Sequence, residues 1–258
     1  MLARFLIPQT RALASLFPLL LVAACQVPPP AETAVLAEPV PAEVNVAADA
    51  PRYAVDTGAS EIRLLVYRDG PLARFGHNHV IAGRVRGEVR AGDSAASSGF
   101  RLEIPVDSFA VDPPALRAEE GAEFAAQVSD EAREETSRNM LGEAVLDAAT
   151  HPLIRIESVA LTGPRWNPTV TARVTLRGAT RDLRFPAAVF QGADAIEVIA
   201  GFRLRQSDFG IKPFTALGGG LLVRDAVDVR LRLAARRDNE GPHIPPLKSS
   251  HFRGAITP

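Results

Sequence analysis

The chain lacks a second cysteine. Cys25 is the only one in 258 residues, so no internal disulfide can close the fold. A folded body must then rest on its apolar core, and a chain this long can bury one. It also lacks any apolar run that reaches the roughly 20 residues needed to span a bilayer as a helix. It lacks an excess of positive charge: the formal net charge is −1, which offers no footprint for nucleic acid. Aromatic residues are scarce, at 6%. No Gly-rich phosphate loop leads into a helix, because Gly218-Gly219-Gly220 precedes a strand pattern and reads as a hairpin tip. No nucleophile, base and acid stand out as a catalytic set, so the expectation is a protein that is not an enzyme.

What is present begins with an export leader over residues 1–24. Arg4 and Arg11 supply positive charge, and Ala12 to Ala24 form an apolar run broken only by Ser15 and Pro18. The run ends in Val22-Ala23-Ala24-Cys25, which resembles a lipobox, so Cys25 is expected to become the lipid-modified first residue and to tie the protein to a membrane. An ordinary signal peptide beside an incidental cysteine is the alternative. The 24 leader residues hold two of the 29 basic residues and none of the 30 acidic ones, which leaves the mature part at −3. Residues 25–51 are rich in Pro, Ala and Glu and read as a flexible tether. Residues 237–258 are broken by prolines and read as a disordered tail. The body lies between, over 52–236, one domain's worth of chain.

Within the body the hydrophobic period is two. Ile62, Leu64 and Val66 alternate with Glu61, Arg63 and Leu65. The same pattern recurs at Leu102-Ile104-Val106, Val170-Ala172-Val174-Leu176, Ile196 to Leu204, and Val227 to Leu233. One apolar and one charged face mark an antiparallel sheet wetted on one side. Leu183, Phe185 and Val189 suggest a further strand bent at Pro186. Ser129 to Leu141 reads instead as a helix, with Ser129 to cap it, acids in its first turn and Gly142 as its stop. Pro113 to Gln127 suggests a short helix or ordered loop. The predicted fold class is all-β: an antiparallel barrel of about eight strands with a helical insertion, favoured over a sandwich because closure removes exposed edges.

Four stretches in order then carry a resemblance. They are Phe75-Gly76-His77-Asn78-His79 through Gly87; Asn139-Met140-Leu141-Gly142 through His151-Pro152 to Ser158; Val174-Thr175-Leu176-Arg177-Gly178-Ala179-Thr180; and Arg205 through Phe209-Gly210-Ile211. Together they resemble the YceI-like family of exported, lipocalin-like barrels that bind polyisoprenoid lipids. The likeness covers about Tyr53 to Ala235. It implies a polyisoprenoid or quinone-like lipid as ligand. Two features depart from the family pattern: the insertion is rich in acids, and His77-x-His79 doubles the usual single histidine.

Candidate site residues follow. Phe109, Phe124, Met140, Phe185, Phe202, Phe209 and Phe214 are expected to line an apolar pocket, with simple core packing as the alternative reading. Asn139, Arg205 and His79 are expected to meet a polar head at its mouth. His77 and His79, two apart on a strand, face the same way and can hold a metal or flank a haem, with His151 the only other histidine in the body to help. The plainer reading gives both rings to backbone carbonyls in a turn. Three functions stay open: a lipid carrier, a haem or metal redox module, and a filled barrel that binds a protein partner. A homodimer is compatible with each. Gln26, rather than an aspartate, follows Cys25, which favours the periplasmic face of the outer membrane.

Overall fold

The computed structural model describes residues 35–36, 46 and 49–238. The leader, Cys25, most of the tether and the tail beyond residue 238 lie outside the described residues. The elements run β1 (Val35–Leu36), β2 (Arg52–Val55), β3 (Glu61–Val66), β4 (Arg68–Asp69), β5 (His79–Arg84), β6 (Arg86–Arg90), β7 (Gly99–Pro105) and β8 (Ala110–Val111). The helical insertion follows, with α1 (Pro114–Ala118) and α2 (Asp130–Leu141). Then come β9 (Leu153–Thr162), β10 (Thr169–Leu176), β11 (Ala179–Gln191), β12 (Ala195–Arg205), β13 (Thr215–Ala216), β14 (Leu221–Val223) and β15 (Ala226–Arg237).

Eight strands close on themselves in the order β11, β10, β9, β7, β6, β2, β15, β12 and back to β11, every pair antiparallel. The fold is therefore the closed antiparallel barrel that the period of two predicts, and closure leaves the ring no free edge. Turn chemistry sets the register. Arg177 and Gly178 both take positive φ, 49° and 75°, and join β10 to β11 as a two-residue hairpin with Leu176 opposite Ala179. Pro186 marks where β11 changes partner: it pairs with β10 as far as Pro186 and with β12 from Ala187 onward. The two-residue strand β1 pairs with Arg184 and Leu183 of β11, so that part of the expected tether runs along the barrel wall.

The ring is not uniform along its length. β15 pairs with β2 through Ala235 to Arg237 and with β3 through Asp228 to Arg232. At the first of these ends β6 continues the wall and pairs with β7. At the other end β5 pairs with β8 instead, and α2 packs against β8. The insertion thus stands where a ladder would otherwise draw the barrel tight. Ser129 caps α2 by accepting the Ala132 N–H at 3.2 Å, and Gly142 ends it, as the sequence predicts. Among the described residues no helix is long and apolar enough to cross a membrane.

The core is the barrel interior, built from the apolar half of each alternation. β10 shows it most simply: Val170, Ala172, Val174 and Leu176 are buried while the residues between them are only half-buried. β3 departs from expectation. Leu65, predicted on the wet face, is buried, because a second cluster of Leu65, Val80 and Phe124 lies outside the barrel wall under the insertion. The acids of the insertion hold that cover down. Glu120 accepts from Arg63 of β3 and Arg230 of β15, each at 2.8 Å, and Glu119 accepts from Arg63 at 2.9 Å. Two acids of the insertion are thus spent on arginines of the outer barrel face, while in α2 Glu134 pairs with Arg138 of the same helix.

Candidate functional site

The interior holds a cavity of about 460 Å³ at the end walled by α2. β3 and β5 give it Leu64, Val66 and Ile81; β11 and β12 give Leu183, Phe202 and Leu204. α2 presents Ala132, Glu135, Thr136, Asn139 and Met140, whose spacing of three and four places them on one helix face. A smaller cavity of about 100 Å³ occupies the opposite end of the same strands, bounded by Val89, Phe100, Phe185, Val189 and Ile196 among others. Ile62, Ile156, Val174, Phe202 and Val229 border both cavities and form the partition. The Phe185 and Phe202 rings stack there, with centroids 4.2 Å apart. A stacked aromatic pair adds to its own area burial, so this partition is a firm one.

Polar groups gather at the mouth of the larger cavity. His79, the first residue of β5, lines it, and so do His77, Arg68, Gln206 and Asn139. Behind His79 stands Asp112, fully buried and absent from the cavity lining. Nδ1 of His79 donates to Oδ2 of Asp112 at 2.6 Å. The other oxygen, Oδ1, accepts from the Val80 N–H at 2.8 Å and from Arg117 at 2.7 Å. Arg117, itself buried, also donates to the carbonyls of Asn78 and Ala126. A carboxylate taking this many donors stays ionised. Burial pushes Asp112 up, but the His79 hydrogen bond, the Val80 N–H and Arg117 together hold it below the usual aspartate value. His77 is also held below its ordinary value, first by burial and then by the neighbouring His79, Arg117 and Arg68.

Most of the expected site residues come together here. His79, Phe109, Asn139, Met140, Phe202 and Phe214 line the larger cavity. Phe109 reaches it by packing on Gly83, where any Cβ would stand 2.6 Å from the ring. Phe185 lines the smaller cavity, on the far side of its stack with Phe202. Three expectations fail. Phe124 lies outside the wall, in T-shaped contact with Tyr67 at 5.5 Å, because the insertion folds its apolar side onto the barrel's outer face. Phe209 is buried in the packed core and lines neither cavity. Arg205 is exposed at the end of β12, since the alternation that turns Leu204 inward turns Arg205 outward; its neighbour Gln206 lines the mouth instead.

The two histidines face one cavity, with ring centroids 6.4 Å apart. His79 gives one nitrogen to Asp112, and His151 stands elsewhere, against Gly178 in the β10–β11 hairpin. Among the described residues no three His, Cys, Asp or Glu side chains gather as a metal site. Sequence reading missed Asp112 and Arg117. Their signals are faint: Asp112 takes a positive φ of 50° just before Pro113-Pro114, and it lies 33 residues from its partner histidine.

A model of the YceI-like domain matches residues 53–235. The solved structure of BcnA from Burkholderia cenocepacia is similar at a TM-score of 0.51 and 16% identity, over 70% of this chain and 98% of that one. A YceI protein from Campylobacter jejuni aligns at a TM-score of 0.44 and 13% identity, over 60% of this chain and 81% of that one. No curated protein matches the chain.

Proposed function

The chain belongs to the YceI-like domain family, and from that premise we propose that it is a binding protein holding a polyisoprenoid or quinone-like lipid inside its barrel, beside a membrane to which Cys25 ties it. The observation that carries this reading is the cavity of about 460 Å³, walled mostly by aliphatic and aromatic side chains with a few polar ones among them. Its volume falls in the range of small-molecule sites, roughly 300–1,000 Å³. Each CH₂ taken from water gains about 0.8 kcal/mol, so a slender apolar chain binds such a space with few polar contacts. The partition at Phe202 sets the depth the chain can reach.

The reading predicts that protein purified without detergent carries an isoprenoid, found by mass spectrometry of its solvent extract. Repeated extracts free of any lipid, from protein that also takes up none when isoprenoids are added, would overturn it. The anchor is tested separately. Labelled palmitate enters the wild-type protein and not Cys25→Ser, and fractionation places the labelled protein with the outer membrane.

A further inference from the structure

Nδ1 of His79 donates to a carboxylate that Val80 and Arg117 keep ionised, so the proton of the neutral ring is committed to that side. Nε2 then carries a lone pair. It has no hydrogen-bond partner among the described residues, and the one buried side-chain polar atom there without a partner is Arg177 Nε, so His79 Nε2 is open to accessible space. Asp112 is not in the cavity lining while His79 is, which turns the free edge of the ring toward the cavity. The mouth thus presents a fixed acceptor. Of the nearby cations, Arg117 stays outside the lining and spends its guanidinium on Asp112, Asn78 and Ala126, while Arg68, in the lining, gives one nitrogen to the Gly76 carbonyl. Glu135 adds a carboxylate to the same lining. A fixed imidazole acceptor, with the Glu135 carboxylate in the same lining, suits a head that donates a hydrogen bond.

We infer that His79 is the head-recognition residue of the cavity, set by Asp112 as a hydrogen-bond acceptor, and that the lipid it selects ends in a hydroxyl, as an isoprenoid alcohol or a quinol does. The inference rests on the lipid-binding reading above and names the chemistry of the ligand's polar end. Asp112 is a positioning residue: it touches no ligand and acts through the ring it orients.

The test is a titration of the purified protein with geranylgeraniol, its methyl ether and its monophosphate, which share one apolar chain. The alcohol is expected to bind about tenfold more tightly than the ether, the worth of one net hydrogen bond, and more tightly than the monophosphate. His79→Phe removes that preference, and His79→Gln, which keeps an acceptor, restores part of it. Imidazole nitrogen NMR of the free wild-type protein at neutral pH shows the Nδ1–H tautomer at His79, and Asp112→Asn shifts the proton away from Nδ1. Equal binding of alcohol and ether would overturn this inference and leave the lipid reading standing. So would a monophosphate that binds best, or an Nε2–H tautomer in the wild type. Failure of all three ligands to bind would overturn the lipid reading and this inference with it.

Discussion

The two ends of the barrel use the same strands to different effect. At one end β6 pairs with β7, and the space left inside is about 100 Å³. At the other end β5 pairs with β8, α2 takes its place in the wall, and the space grows to about 460 Å³. Aliphatic side chains, with a few phenylalanines, make up most of the lining at both ends. Volume is therefore set by backbone topology rather than by side-chain size: a helix spaced off by its own side chains holds the wall open where a ladder, with strands about 4.8 Å apart, would draw it in. The polar groups divide in the same way, since the buried Asp112–Arg117–His79 chain exists only beside the larger space.

Four measurements sharpen or break that contrast. Phe202→Ala has the largest expected effect. It removes half of the stacked partition and should cost about 3–5 kcal/mol in urea unfolding. It also joins the two spaces, so longer isoprenoids should gain affinity over short ones. A cost below about 1 kcal/mol would mean that the ends already communicate. Asp112→Ala comes next, at about 3 kcal/mol, because it leaves Arg117 buried without its carboxylate. Leu64→Ala should cost only about 1–2 kcal/mol, since Leu64 is half-buried and faces space that is already there. A cost like that of Phe202→Ala would mean that the larger end is filled.

The fourth is a pH dependence with no mutation at the partition. His77 is held below its ordinary value by burial and by the groups around it. The unfolded chain therefore takes up that proton more readily, and stability falls as pH drops below about 6.5 toward the folded value of His77. Asp112 adds to the loss further down. Its contribution is present above its unfolded value near pH 4 and disappears as pH falls through its lower folded value. Urea midpoints taken across pH should show both steps, and His77→Leu should lack the first.

The fold was legible because strand alternation is a local signal. Val170 to Leu176 and Ile196 to Leu204 read as strands from spacing alone, and Ser129 and Gly142 bound α2 by their chemistry. The site was legible only where a local signal coincided with it, as at His79, Asn139 and Met140. The alternation of β12 already argued against Arg205, which falls on the opposite parity from the inward-facing Phe202 and Leu204. Phe124 and Leu65 failed for a different reason: whether an apolar residue faces the lumen or lies beneath an external cover depends on where the insertion folds back, and Glu119 and Glu120 decide that by pairing with arginines far along the chain. Asp112 was invisible because its role depends on being brought to His79 by the pairing of β5 with β8.

The central claim is that the larger cavity holds the lipid, and filling that cavity tests it most directly. Leu64→Trp places a large ring in the space beside Val66 and Ile81. The account predicts that this variant keeps the strand signature in circular dichroism and a cooperative unfolding transition, while the isoprenoid retained per chain, measured by mass spectrometry, falls at least tenfold for a loss of about 1.4 kcal/mol in binding. A folded Leu64→Trp variant that retains as much isoprenoid as the wild type would contradict it.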